Sequence, residues 1–193
     1  MNQKDTELRN TLRLLNNALL GIEMYWEVLR AIFGEKWKLD LLNKAGGRIF
    51  KLVEDAMIHE LIFRLCRLTD RPKISGHSTV SIMRLSQLTS ELSDEELSKK
   101  LDTVIRQVLM IVQDLRVRRD KTLAHSDMEV AVLPKNALPP IRFEDIVQAK
   151  NGIETALDLV REYFGEPPHN YDLGLHGSAN KFFEYLKKGE QDK

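Results

Sequence analysis

Apolar residues recur along this chain at alternating steps of four and three, the spacing of one face of an α-helix that packs lengthwise against others. The first such run reaches from Leu8 to Phe33, and Gly34 is a plausible end for it. A second helix is predicted from about Arg48 to Thr69, and it ends at Asp70-Arg71-Pro72 because proline disfavours a helical residue before it. The predicted apolar stripe of this second helix consists of Leu52, Ala56, His59, Phe63 and Cys66. A neighbouring row widens the apolar face towards the C-terminal end of the helix, and it consists of Ile58, Leu61, Ile62, Leu65 and Leu68.

The segment between these two helices, Glu35 to Gly47, has no clear period, and Gly46-Gly47 indicates a break within it. After a surface loop over Lys73–Ser78, a shorter helix is predicted to end near Leu92. Ser93-Asp-Glu-Glu96 then has the form of a capping box, with Ser93 as the N-cap of the next helix. The seam of that helix is Leu97, Leu101, Val104, Val108, Ile111 and Leu115.

A last long helix is predicted from about Phe143 to Phe164, after a proline-containing stretch at 128–140 that is unlike a helix. Its seam is Ile146, Ala149, Ile153, Ala156, Val160 and Tyr163. Four such seams with short polar breaks predict an all-α fold, an antiparallel four- to five-helix bundle with one or two extra short helices. We expect residues 1–168 to form this domain, and residues 169–193 to form a tail whose short helix begins near Ser178.

Composition and charge narrow the function. With 29 basic and 29 acidic residues the net charge is zero, so any contact with nucleic acid requires a local basic patch. The lone cysteine, Cys66, excludes an internal disulfide framework and suits a reducing cytoplasm. The N-terminal residues are polar, without a signal-like apolar region, and no apolar run approaches the roughly 20 residues that span a bilayer. These observations predict a cytoplasmic protein with no membrane partner.

The densest group of chemically useful side chains is Leu115–Asp127, which reads LRVRRDKTLAHSD. It continues the apolar seam ending at Leu115, whose next positions are Arg118, Thr122 and His125. The neighbouring row continues to Arg116 and Arg119. If the helix persists, these groups project towards a groove between helices or towards a partner chain, although basic residues at a helix end also suit the helix dipole without any further function.

The run Arg119-Asp-Lys-Thr-Leu-Ala-His125-Ser-Asp127 resembles the R-x4–6-H motif of the HEPN superfamily, and more closely the R-D-K-x-x-A-H-x-D form of its abortive-infection, AbiU-like branch. A second patch, Arg64-Leu-Cys-Arg-Leu-Thr-Asp70 followed by Ser81-Ile-Met-Arg-Leu, is similar to that branch's helix end and following short helix. The resemblance covers about Leu8 to Phe164, and its specific part is 119–127.

This resemblance implies a metal-independent endoribonuclease, a toxin or phage-defence effector, in which a homodimer brings two motifs together. RNA, a second copy of the chain, and an antitoxin or other defence-system protein are the implied partners, and no cofactor or metal is implied. The residues expected to carry out catalysis are Arg119, His125 and Asp120; those expected to bind RNA phosphates are Arg116, Arg118 and Lys121; and the supporting residues are Asp127 and Asp70.

The chemistry of these residues suits RNA cleavage. Histidine titrates near neutral pH and can take the proton of a 2′-hydroxyl, while the planar fork of arginine matches phosphate oxygens. Asp120 could orient either group. Lys121, one turn before His125, could contact phosphate and lower the histidine pKa by like charge. Some related toxins have a tyrosine two residues after the histidine that is modified by a partner transferase, and here that position is Asp127.

One ambiguity stays open at the level of sequence. On a continuous helix Arg118 lies nearly over His125, whereas Arg119 lies about 120° away. The family pattern selects Arg119, which requires the regular helix to end near Thr122.

Two other functions also stay open: a non-catalytic helical module of the same fold that binds RNA or nucleotide or acts as an adaptor, and an oligomerising bundle in which the motif is coincidental. His59-Glu60 does not form H-E-x-x-H, because position 63 is Phe, so His59 is predicted to be a core or interface residue. His125 and Asp127 lack a third nearby metal ligand.

Overall fold

A computed structural model describes residues 3–92, 94–123, 138–171 and 173–191 of the chain. Its elements are the α-helices α1 (Gln3–Phe33), α2 (Lys36–Leu68), α3 (Ile82–Ser90), α4 (Glu95–Ile111), α5 (Gln113–Arg118), α6 (Phe143–Tyr163) and α7 (His176–Gln191), a π-helical turn (Arg119–Leu123), and the strands β1 (Lys73–Ile74) and β2 (His77–Ser78).

Helix α1 buries the predicted seam. Leu8, Leu15, Leu19 and Ile22 are fully buried, and the seam stays buried to Phe33, except that Trp26 is only half-buried. The helix ends as predicted, because the N–H of Gly34 donates to the carbonyl of Arg30 and a Cβ at position 34 would lie 2.4 Å from that oxygen. Glycine at this position therefore allows the chain to turn away.

Helix α2 differs from the prediction in its start and in its buried face. It begins at Lys36, and the chain leaves helical geometry only at Gly46, where the helix is kinked. The predicted stripe is wrong in its first half: Leu52 is 69% exposed, and Ala56 and His59 are exposed as well. The predicted neighbouring row is buried at Leu61, Ile62, Leu65 and Leu68, whereas its first member, Ile58, is half-buried. A four-three pattern locates an apolar face but does not say whether another element covers it.

The loop at 73–78 contains a small antiparallel hairpin in which Lys73 pairs with Ser78 and Ile74 with His77. Its turn uses Ser75 and Gly76, both with positive φ. The N-cap of α4 is one residue later than predicted: the carboxylate of Asp94 accepts the N–H of Leu97 at 2.9 Å, and Ser93 lies outside the described residues. This bond satisfies one of the unpaired N–H groups of the first helical turn.

Helix α4 packs on α3 and on α6. The buried row of α4 and α5 is Leu97, Leu101, Ile105, Val108, Val112 and Leu115, so Val104 and Ile111 of the predicted seam are only half-buried. On α6 the predicted seam is buried from Ile146 to Val160, but its last member, Tyr163, is 38% exposed. Gly152 of α6 faces Val108, and a Cβ there would lie 2.5 Å from the valine Cγ2.

The chain forms two compact units. One consists of Met1–Leu20 and Ile62–Asn170, and the other of Gly21–Leu61 and Tyr171–Lys193. In the second unit α7 is held by Phe183, which is 1% exposed and packs edge-on against Trp37 with ring centroids 5.3 Å apart. The carboxylate of Glu27 accepts the N–H groups of Leu173 and Leu175, which fixes the chain just before α7.

The protein is therefore an all-α helical bundle, and the described residues add only one small hairpin, whose two strands have two residues each. None of the helices in the described ranges is long and apolar enough to cross a membrane. The predicted domain boundary at 168/169 stays a prediction.

Candidate functional site

The basic stretch lies where the α4–α5 helix changes its geometry. Backbone hydrogen bonds from Val112 to Val108 and from Arg116 to Val112 carry the helix across the junction between α4 and α5. From Arg119 to Leu123 the chain forms a π-helical turn. Such turns are rare inside helices and occur frequently at functional sites. The regular α-helix ends at Arg118, directly before the arginine that the motif selects.

Asp70 is the point at which α2 meets this stretch. Its Oδ1 atom accepts hydrogen bonds from Nη1 of Arg116 at 2.5 Å and from Nη1 of Arg119 at 3.3 Å. Both arginines lie on the row that continues from the buried residues Val112 and Leu115. The side chain of Asp70 is 17% exposed, so this carboxylate holds two cations in a setting that is largely withdrawn from water.

Arg119 is the more buried of the two arginines, with 15% of its side chain exposed, against 24% for Arg116. Its Nε donates to Asp120 Oδ1 at 2.7 Å, and its Nη2 lies 2.7 Å from the same oxygen. Burial by itself lowers the pKa of Arg119, but the hydrogen bond to Asp120 and the nearby anionic charges outweigh it, so the net pKa is raised. Arg119 is therefore a permanent cation whose plane is set by two carboxylates.

Arg116 caps the C-terminal end of α2. Its Nη2 donates to the carbonyl of Thr69 at 2.9 Å and to the Thr69 hydroxyl at 2.7 Å, and more weakly to the Cys66 carbonyl at 3.4 Å. A cation at the negative end of a helix is stabilising, and it satisfies carbonyls that lack partners in the helix itself. This placement gives Arg116 a structural role, and its predicted contact with RNA stays a prediction.

Arg118 contacts the segment that follows residues 124–137, which lie outside the described residues. Its Nε and Nη2 donate to the carbonyl of Pro139 at 3.1 and 2.6 Å. These bonds join the end of α5 to the segment that leads into α6, so the ends of the stretch carrying His125 and Asp127 are tied together. Both His125 and Asp127 lie outside the described residues.

The two remaining predicted residues face solvent. Lys121 is exposed, and the side chain of Asp120 is 52% exposed although it contacts Arg119. From Arg116 to Lys121 four side chains are cationic and one is anionic. Local positive charge thus survives the pairing with Asp70 and Asp120, as a site for a polyanion requires.

Cys66 is fully buried beside these arginines. Burial raises the pKa of its thiol to about 11, and the nearby charges of Arg119 and Arg116 offset only part of this effect. A protonated, buried thiol is chemically inert, consistent with the place of Cys66 on the predicted apolar stripe. Within the described part of the chain, no group of three or more His, Cys, Asp or Glu side chains is arranged to hold a metal ion.

The sequence analysis named Asp70, Arg116, Arg118, Arg119 and Asp120 but not three of their hydrogen-bond partners. Thr69 supplies a hydroxyl and a carbonyl, and the backbone of Cys66 and Pro139 supplies carbonyls. A backbone acceptor has no side-chain signature, so no sequence pattern could reveal the last two. Thr69 had a signal in principle, as a polar residue directly after the buried Leu68.

Comparison with known proteins agrees with this architecture. The model of the HEPN family AbiU2 matches residues 5–181, which is most of the chain. Searches of curated proteins and of solved structures each gave no significant match.

The helical fold, the basic helix end and this match together define a HEPN-type abortive-infection module. The chain belongs to the AbiU2 family of HEPN domains. The match continues beyond residue 168 to 181, and so includes part of α7.

Proposed function

We propose that this protein is a metal-independent endoribonuclease, a toxin or phage-defence effector whose R-x5-H motif acts at the cleft of a homodimer. The observation that carries the proposal is the setting of Arg119. It begins a π-helical turn, it is largely buried, and its guanidinium is held by Asp120 and Asp70. A fixed arginine six residues before a histidine is suited to bind a phosphate at the point where a base acts.

His125 is the proposed general base. It takes the proton of a 2′-hydroxyl, whose oxygen then attacks the adjacent phosphorus. The bond to the 5′-oxygen breaks as that oxygen takes a proton from water, and the hydroxide left behind takes the proton that His125 holds. The products of this reaction are a 2′,3′-cyclic phosphate and a 5′-hydroxyl. Positioned acid–base catalysis contributes roughly 10²–10⁴ in rate.

Arg119 stabilises the negative charge that develops on the non-bridging phosphate oxygens. Its fork geometry permits bidentate binding, and a preorganised donor costs no reorganisation during the reaction. Asp120 and Asp70 orient the guanidinium, and Arg118 and Lys121 bind neighbouring phosphates. Arg116, which is bound to the C-terminal end of α2, supports the site. Asp127 is proposed to support His125.

The homodimer is proposed because two motifs at one interface would double the positive charge facing a single RNA strand. We also propose a partner that neutralises the enzyme, an antitoxin or another defence protein, because an unregulated ribonuclease would damage its own cell.

The test is cleavage of structured and single-stranded RNA by the purified protein in EDTA. We expect the wild type to cleave, and His125→Ala and Arg119→Ala to lose activity by at least about 10². His169→Ala and Arg106→Gln are matched controls, because both residues are exposed and lie outside the motif. Arg106 donates to the carbonyl of Asp102 on its own helix. Circular dichroism and sedimentation verify that helicity and mass are unchanged.

Cleavage that requires a divalent metal, or cleavage that survives in His125→Ala, would overturn the proposal. RNA binding without turnover by the wild type would identify a non-catalytic binding module instead. A strictly monomeric wild type that still cleaves would remove the composite cleft from the mechanism while keeping the motif.

A further inference from the structure

A second group of arginines lines a cleft away from the motif. The cleft has a volume of about 170 Å³, and its walls are Ala18 of α1, Arg64, Arg67 and Leu68 of α2, and Val80 before α3. All five residues belong to the same compact unit. Arg64 and Arg67 are three positions apart on one helix, so their side chains are neighbours on its surface.

The walls of this cleft combine two guanidinium groups with apolar side chains. Besides Arg64 and Arg67, the described residues that line it are Ala18, Leu68 and Val80. Val80 is 42% exposed and Leu68 is 4% exposed, so one wall is open to solvent and another belongs to the core. Apolar walls strengthen the attraction of a guanidinium for an anion by displacing water.

The cleft lies close to the candidate site along the chain. Arg67 precedes Asp70 by three residues, which is less than one helical turn. The residue before Arg67, Cys66, accepts a hydrogen bond from Arg116 through its carbonyl. The end of α2 therefore carries the cleft on one part of its surface and the anchor of the motif arginines on another.

We infer that this cleft binds a backbone phosphate of RNA outside the scissile position, with Arg64 and Arg67 as its ligands. Guanidinium groups match phosphate oxygens in geometry and can bind them through two hydrogen bonds. The inference rests on the proposed function, because it supplies a second contact for the same strand. It predicts recognition by charge and not by base, so RNA sequence is not read here.

The test measures binding and not cleavage. A fluorescent 12-nucleotide single-stranded RNA is titrated with wild type, Arg67→Gln and Arg64→Gln/Arg67→Gln, each also in the His125→Ala background so that the RNA stays intact. We expect Arg67→Gln to weaken binding about tenfold at low salt, as the loss of a charge-assisted hydrogen bond predicts. We also expect the slope of log affinity against log salt to fall by about 0.7 for each phosphate contact removed.

Two variants separate this site from general charge effects. Arg106→Gln removes an exposed positive charge elsewhere on the same unit and should leave affinity within about twofold. Arg67→Lys retains the charge without the fork, so the salt slope should be kept while part of the affinity is lost.

Further ligands distinguish the source of the phosphate. The Arg67→Gln substitution should weaken the binding of a DNA of the same sequence by the same factor, because a phosphate contact does not read the 2′-hydroxyl. Uridine monophosphate is the test for a free nucleotide. If it binds in an Arg67-dependent manner while the 12-mer is unaffected, the cleft takes a free nucleotide and the inference fails.

The inference also fails if Arg64→Gln/Arg67→Gln and Arg106→Gln have equal affinity and salt slope. These outcomes are independent of catalysis. A wild type that binds RNA through Arg67 but does not cleave it contradicts the proposed ribonuclease and leaves the phosphate site standing. If the wild type cleaves RNA and the cleft variants bind it as tightly as wild type, the phosphate site is contradicted and the proposed ribonuclease stands.

Discussion

Replacing Asp70 by asparagine tests the junction on which the candidate site depends. The substitution preserves the shape of the side chain but removes the negative charge that Arg116 and Arg119 share. All three side chains are less than a quarter exposed, at 17%, 24% and 15%. Water therefore compensates only in part for the lost charge, and two cations are left facing each other across a neutral amide.

The magnitude follows from these contacts. A hydrogen bond to a charged group contributes about 1.5–3 kcal/mol, and Asp70 makes two, of which the bond to Arg119 is long at 3.3 Å. The asparagine oxygen retains a neutral acceptor, and both arginines keep other partners, at Thr69 and at Asp120. We therefore expect the free energy of unfolding to fall by about 2 kcal/mol. For a chain of 193 residues this corresponds to a decrease in Tm of roughly 4–8 °C.

The assay is urea denaturation followed by circular dichroism, supported by thermal melts. Glu96→Gln is the control, because its ion pair with Lys100 has side chains 79% and 57% exposed. Exposed pairs contribute little, so this variant should unfold at the same urea midpoint as wild type. A double-mutant cycle of Asp70→Asn with Arg116→Gln should give a coupling energy of about 1 kcal/mol, since the two residues are in direct contact.

Equal stability of Asp70→Asn and Glu96→Gln would refute this reasoning, because it would mean that the junction contributes no more than a surface pair. A coupling energy near zero would instead show that Arg116 is held by the α2 carbonyls alone.

Three further predictions concern the scaffold. The buried Cys66 thiol, whose pKa of about 11 exceeds the ordinary 9.0, favours folding in its protonated form; that stability is complete below pH 9 and is lost as the pH rises towards 11. Urea titrations should show wild type losing about 1 kcal/mol more than Cys66→Ala between about pH 8 and about pH 10, and parallel pH profiles would contradict this. Gly152→Ala should destabilise by about 1 kcal/mol in a thermal melt despite its better helix propensity, because its Cβ would lie 2.5 Å from the stiff Val108 side chain; Val108→Ala in the same chain should reverse the loss. Asp94→Ala should cost about 1 kcal/mol by leaving the Leu97 N–H unpaired, whereas Asp94→Ser should retain most of the stability, and equal losses would exclude a capping role.

Much of the helical architecture was predictable because helices are local structures with a strong period. The run from Leu8 to Phe33 was confirmed along almost its whole length, and Gly34 ends the helix as its sequence position indicated. The errors in α2 have a different origin. Leu52 and Ala56 continue a valid helical stripe, but exposure depends on which other elements pack there, and that information is not local.

The candidate site divides in the same way. The motif Arg119 to His125 was recognisable because its residues are close in sequence, and the family assignment it suggested was confirmed. The setting of each arginine was not predictable. Arg118 continues the predicted seam, yet it binds the Pro139 carbonyl, and Arg119 turns to Asp70, which is 49 residues away.

The sequence alone therefore determined the helical class, the positions of most helices, the family and the residues that form the motif, because each of these depends on side chains close together in the chain. Only the tertiary structure decided which stripe of α2 is buried and which carboxylate holds the motif arginines. It also decided that the α-helix gives way to a π turn at Arg119. Burial and charge pairing depend on the distances between segments, and these distances cannot be read from the local pattern of apolar residues.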